Sequence, residues 1–133
     1  MKKILLAIAM LSAIANADVT NVVATKAFLS KPIKIIDIRT PAEWAQSGIV
    51  KGSYPIMFFN EKGEAKEDAF LVQLNKIVKK NETFAIICRT GSRTTAITPF
   101  LDEKDYNVIN LQGGIVKLIQ EGYTPVPYRA SRR

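Results

Sequence analysis

The run Phe84–Cys88, FAIIC, constrains the fold more than any other stretch of the chain. It has the length of a strand and is apolar at every position, so neither of its faces is meant for water. A strand covered on both sides belongs to a layered sheet with helices above and below, and the remaining sequence supplies those parts. Ile33–Ile38, IKIIDI, reads as a second strand, β-branched and bounded by Pro32 and Thr40. Tyr54–Phe58 reads as a short irregular strand because Pro55 cannot donate to a ladder. Tyr106–Leu111, YNVINL, reads as another.

Helical patterns fall between these runs. Thr40 is placed to N-cap a helix, Pro41 suits its first position, Glu43 completes a capping box and Gly48 ends it. Over Ala65–Lys80, Phe70, Leu74, Ile77 and Val78 share one face, while Lys66, Glu67, Lys76 and Lys80 face water. Ser92–Leu101 is a further helix in which Pro99 is expected to cause a kink or an end. Gly113–Tyr123 is the last, with Ile115, Leu118 and Ile119 inward and Gly122 as its stop. Asn21–Ser30, with Val22, Val23, Ala27 and Phe28, is expected to form a short helix. Strands alternating with helices predict an α/β protein built on a parallel sheet. Ligands of such folds bind beyond the carboxyl ends of the strands. Cys88 falls at one such end and Asp37–Thr40 at another.

The chain has 133 residues, 47% of them hydrophobic and 23% charged, which fits one domain with its own core. Its first residues stand apart from that core. Lys2 and Lys3 precede an apolar run, Ile4–Ile14, and then Ala15-Asn16-Ala17. This is the layout of a secretory signal peptide, with cleavage expected after Ala17. The apolar run rises only about 16 Å as a helix, against about 30 Å of hydrocarbon core, so no stable membrane anchor is expected. The expected organisation is a signal peptide at 1–17, a folded domain at 18–128 and a basic tail at 129–133, in an exported, periplasmic or secreted protein. Loss of Lys2 and Lys3 lowers the formal charge from +7 to +5. Arg129, Arg132 and Arg133 hold part of the excess, and no basic–aromatic stripe points to nucleic acid.

There is one cysteine and no histidine. An intramolecular disulfide and Cys-His or Ser-His-Asp catalysis are therefore excluded within the chain, and a zinc site is not expected. A lone thiol in an oxidising compartment is a liability when exposed and idle, so two readings remain for Cys88: a packed core residue or a nucleophile. Its surroundings, CRTGSR, favour the nucleophile. The loop N–H groups that follow a strand end and open a helix form an anion-binding nest. Gly91 permits the turn, and Arg89 and Arg93 add positive charge. Each feature favours thiolate over thiol without a general base. Cys88 and Arg93 are separated by four residues and position 94 is threonine, one residue short of the Cys-x5-Arg ring that holds a phosphoryl group. A tighter ring suits a single bound sulfur atom.

Taken in order, IIDIRTPAEW, CRTGSR and VINLQGGIVKLIQEGY resemble the rhodanese, or thiosulfate sulfurtransferase, family in its single-domain form, over about Lys26–Val126. The resemblance implies a five-stranded, mainly parallel sheet with helices on both faces. It also implies a ping-pong sulfur transfer with no cofactor beyond a covalent persulfide on Cys88. The donor would be a small sulfur anion such as thiosulfate, and the acceptor cyanide, a thiol or a partner protein. The N–H groups of Arg89, Thr90, Gly91, Ser92 and Arg93 would hold the sulfur, the arginines would attract the donor, and the small Thr90 and Ser92 would leave the cradle open. One segment departs from the family: Ser47–Ser53, SGIVKGS, stands where many members carry GHIPGA, a residue longer and without the histidine. A persulfide carrier serving a partner protein is the alternative, with a phosphatase or arsenate reductase on the same fold behind it.

Asp37 and Arg39 read as a structural pair that pins the Cys88 loop from behind, with a place on the site rim as the second reading. Trp44 reads as packing, Gly113-Gly114 as a strand–helix turn beside the cradle, and Lys51 as a solvated lysine, with the entrance to the site as its other reading.

Overall fold

The structure is a computed structural model, and residues 19–129 are described. The expected signal peptide at 1–17 and residues 130–133 of the basic tail lie outside the described residues. Five strands, β1 (Val19–Val23), β2 (Ile35–Asp37), β3 (Tyr54–Pro55), β4 (Phe84–Ile87) and β5 (Val108–Gln112), pair in parallel in the order β1-β5-β4-β2-β3. Four helices accompany them: α1 (Pro41–Ser47), α2 (Glu67–Ile77), α3 (Ser92–Glu103) and α4 (Gly114–Gln120). The expected α/β architecture, with helices on both faces of the sheet, is what is found.

The apolar run ending at Cys88 supplies the middle strand, and all of β4 is buried. Its alternate side chains serve two cores. Phe84, Ile86 and Cys88 pack with Ile36 and with Phe70, Leu74, Ile97 and Leu101 of α2 and α3. Ala85 and Ile87 pack with Ile35, with Phe28 of a 3-10 turn and with Ile115 and Leu118 of α4. Each fully buried Leu, Ile or Phe contributes about 1.5–3 kcal/mol relative to exposure, and this double burial explains why β4 has no polar position.

Three local expectations are corrected. Asn21–Val23 is strand rather than helix: the Val-rich segment pairs along β5, from Val19 beside Val108 to Val23 beside Gln112, and only Phe28–Ser30 turns helically. A free sheet edge outweighed the local helical spacing. Pro99 does not end α3, which continues to Glu103. The carbonyl that Pro99 leaves without an N–H partner is that of Thr95, and the Thr98 hydroxyl donates to it at 3.0 Å. Ile119 is 45% exposed, because α4 buries a narrow stripe of Gly114, Ile115 and Leu118.

Register brings the functional loops together. Asp37 lies beside Ile87, and the Ile38 N–H donates to the Ile87 carbonyl at 3.0 Å. The segments that leave β2 and β4 therefore emerge side by side.

Candidate active site

Cys88 follows the last residue of β4, and α3 begins at Ser92, so Arg89, Thr90 and Gly91 make the turn between them. Gly91 has φ of 100°, in the left-handed region that glycine adopts without strain. That turn aims the Gly91 N–H back at the Cys88 sulfur, to which it donates at 3.1 Å. The Thr94 hydroxyl lies 3.8 Å from Sγ and donates to the Gly91 carbonyl at 3.1 Å. Thr94 was not anticipated as part of this arrangement. One helical turn into α3, it reaches back over the loop.

The loop is held from a second side by α4. The Ile115 and Val116 N–H groups donate to the carbonyls of Cys88 and Arg89, each at 3.0 Å. This contact requires Gly114, where a Cβ would fall against both of those carbonyl oxygens while φ is 61°. Gly113-Gly114 is thus a turn beside the cradle, as expected. Gly114→Ala should destabilise the domain by about 2–3 kcal/mol and lower activity, because clash and left-handed backbone act together. Urea unfolding alongside a transfer assay checks this, and an unchanged midpoint would show that the turn tolerates a side chain.

Two expectations about the cradle are corrected. It is not open: Cys88 is 0% exposed, while Arg89, Thr90 and Ser92 face solvent. The sulfur is covered by the loop and by the core to which Cys88 belongs. Nor is Arg93 a free cation. Its guanidinium donates to both carboxylate oxygens of Glu43, each at 2.7 Å. Among the described residues Arg89 has no such carboxylate partner.

Glu43 therefore holds two positions at once. It closes the capping box of α1 with Thr40, and it clamps the first turn of α3 from fifty residues away. Its sequence signal was local, and the clamp follows only from the adjacency of the β2 and β4 ends. The hydrogen bond from Arg93, with help from Thr40, lowers the Glu43 carboxyl from 4.5 to about 2, against the opposing effect of burial. A carboxylate depressed in the folded state stabilises fully above its ordinary value of 4.5 and loses that contribution as pH falls toward about 2. Both side chains are part-exposed, so solvent screening leaves the pair about 1 kcal/mol. Glu43→Gln should therefore melt below the parent protein at pH 7, with the gap narrowing below pH 4.5 and closing only as pH falls through about 2. A gap that persists in acid would assign the difference to something other than this charge.

Asp37 and Arg39 lie at the end of β2, 0% and 1% exposed. Arg39 Nε and Nη2 donate to the Asp37 carboxylate, Nη1 donates to Ser47 Oγ at 2.8 Å and Nη2 to the Gly48 carbonyl at 2.7 Å. The Trp44 indole N–H donates to Asp37 Oδ1 at 3.1 Å. The contacts of the pair tie down α1 rather than the Cys88 loop itself. Since α1 carries Glu43, it supports the cradle at one remove. Lys51 is exposed on the segment that leads into β3, at the amino end of the sheet, away from the cysteine. Beside the cradle, a cleft of about 520 Å³ is lined by Thr40, Glu43, Phe59, Asn60, Ser92 and Arg93, among others.

A parallel sheet covered on both faces, with a single cysteine at the carboxyl end of its middle strand and a backbone N–H turned onto its sulfur, defines a class of α/β proteins with a cradled thiol. The rhodanese-like domain matches residues 22–121, and the chain belongs to that family. The chain is 29% identical over 110 residues to "Protein HIGH ARSENIC CONTENT 1, mitochondrial" of Arabidopsis thaliana, covering 81% of this chain but 65% of that protein. A rhodanese-related protein from Thermoplasma volcanium is 28% identical, with a TM-score of 0.61 over 80% of this chain and 98% of the other. The polysulfide-sulfur transferase homodimer from Wolinella succinogenes is 19% identical, with a TM-score of 0.60 over 94% and 90%, a likeness of fold.

Proposed function

We propose that the protein moves sulfane sulfur from thiosulfate or a similar anionic donor to cyanide or a thiol acceptor, through a persulfide on Cys88. The observation that supports this most directly is the Gly91 N–H held 3.1 Å from Sγ at the start of α3. A hydrogen bond aimed at sulfur, near a helix N-terminus, stabilises the thiolate as attacking and as leaving group. In the first step the thiolate attacks the outer sulfur of thiosulfate. A bond forms between the two sulfurs, the donor's S–S bond breaks, and its electron pair departs with sulfite. In the second step the acceptor attacks the outer sulfur of the persulfide, and the electron pair of the S–S bond returns to Cys88. Because Cys88 is covered, the exposed residues Arg89 and Thr90 move aside for either partner in this reading.

The decisive measurement is the mass of the intact protein after incubation with thiosulfate. One added sulfur, mapped to Cys88 and removed by cyanide, is expected; no sulfur uptake would end the proposal. The name of the Arabidopsis relative, which speaks of arsenic content, favours arsenate reduction as a second reading. Arsenate turnover by protein that takes no sulfur from thiosulfate would replace the first reading with that one.

In the proposed reaction Arg93 acts by neutralising Glu43 at the mouth of the site. Arg93→Ala should raise the KM for thiosulfate about fivefold, equivalent to about 1 kcal/mol, since it exposes an unpaired carboxylate to an anionic donor. Adding Glu43→Gln should recover most of that loss. Failure of the double variant to recover would show that Arg93 contacts the donor itself.

A further inference from the structure

At the amino end of the sheet, away from the cysteine, a second cavity of about 470 Å³ opens between the 3-10 turn after β1 and the segment that leads into β3. Its volume falls in the range of small-molecule sites. Leu29, Ile33 and Val50 give it apolar walls, and three lysines but no carboxylate line it. Lys34 is already engaged: its ammonium donates to the Ile77 carbonyl at 2.8 Å and pairs with Glu82 at 3.1 Å. Lys31 and Lys51 are exposed and have no carboxylate partner among the described residues.

One hydroxyl adds to the polar side. Tyr123 Oη accepts from the Lys51 backbone N–H at 2.9 Å, which leaves its own proton for another acceptor.

We propose that this cavity binds a small organic anion with an apolar body, such as an arylalkyl carboxylate. The acidic group lies between Lys31 and Lys51, within reach of Tyr123, and the body lies on Leu29, Ile33 and Val50. Two exposed ammonium groups hold a bare anion weakly in water, and apolar walls alone do not select for charge. The combination selects a molecule that carries both features. The site is separate from the sulfur chemistry, because β2 runs from Ile35 at this cavity to Asp37 near the cysteine loop.

The test is an amide-shift NMR titration of the folded domain with 4-phenylbutyrate, with the uncharged 4-phenylbutanamide and inorganic phosphate as controls. Saturable shifts at Lys51, Gly52, Ser53 and Tyr123 are expected with the carboxylate, with no matching response to either control. The Lys31→Glu, Lys51→Glu double variant should weaken binding at least tenfold at an unchanged melting temperature. Equal binding of the amide, an equal response to phosphate, shifts confined to Arg89–Ser92, or no saturable shift at all would each overturn the proposal.

Discussion

Cys88→Ser is expected to abolish sulfur transfer while the domain remains folded. A serine hydroxyl is not a nucleophile of comparable strength at neutral pH, and no other thiol exists in the chain to take its place. The structural cost is small: the change removes one core sulfur and its contact with the Gly91 N–H, about 1 kcal/mol, and leaves the pinning of the loop carbonyls by α4 intact. Thiosulfate–cyanide turnover and a thermal melt, measured on the same preparation, test both halves of the expectation. Turnover retained by the serine variant would place the chemistry elsewhere. The parent protein also separates enzyme from carrier: repeated turnover with free cyanide fits the enzyme, and stoichiometric loading released only to a partner protein fits the carrier.

The largest stability effect is expected from Arg39→Ala, about 3–5 kcal/mol. Asp37 accepts hydrogen bonds from Arg39 and Trp44 in a site closed to water. Removal of the guanidinium strands a buried carboxylate and also frees the Ser47 hydroxyl and the Gly48 carbonyl at the end of α1. Domains of this size have about 5–15 kcal/mol in total, so the variant should lie close to unfolding. Replacing both partners, as Asp37→Leu with Arg39→Met, should cost less than the single change, because no charge is then left without a partner. Urea unfolding of the three proteins decides the matter. A single-variant loss below about 1 kcal/mol would contradict the role of the pair, given that exposed ion pairs are worth no more than that.

Local features of the site were legible wherever their cause was local. The capping box of Thr40 and Glu43, Pro41 at the first helical position and the positive φ of Gly48 and Gly91 all follow from residues within a few positions of one another. The double burial of β4 was legible because an unbroken apolar run leaves no face for water. Asn21–Val23 was misread because its partner, β5, lies far along the chain. Pro99 was misread for a different reason: the rescue by Thr98 is local but depends on one rotamer rather than on residue type.

The alternation of strands and helices, the place of the single thiol at a strand end and the glycine that turns the loop were readable from the residues alone. These are consequences of side-chain period, covalent freedom and inventory. The cover over the thiol, the neutralisation of Arg93 by Glu43 and the grip of the α4 N-terminus on the loop carbonyls exist in the folded chain alone. Each of these is a contact between segments distant in the chain. Such contacts are set by sheet order and register, which place the β2 and β4 ends side by side and bring α4 against them.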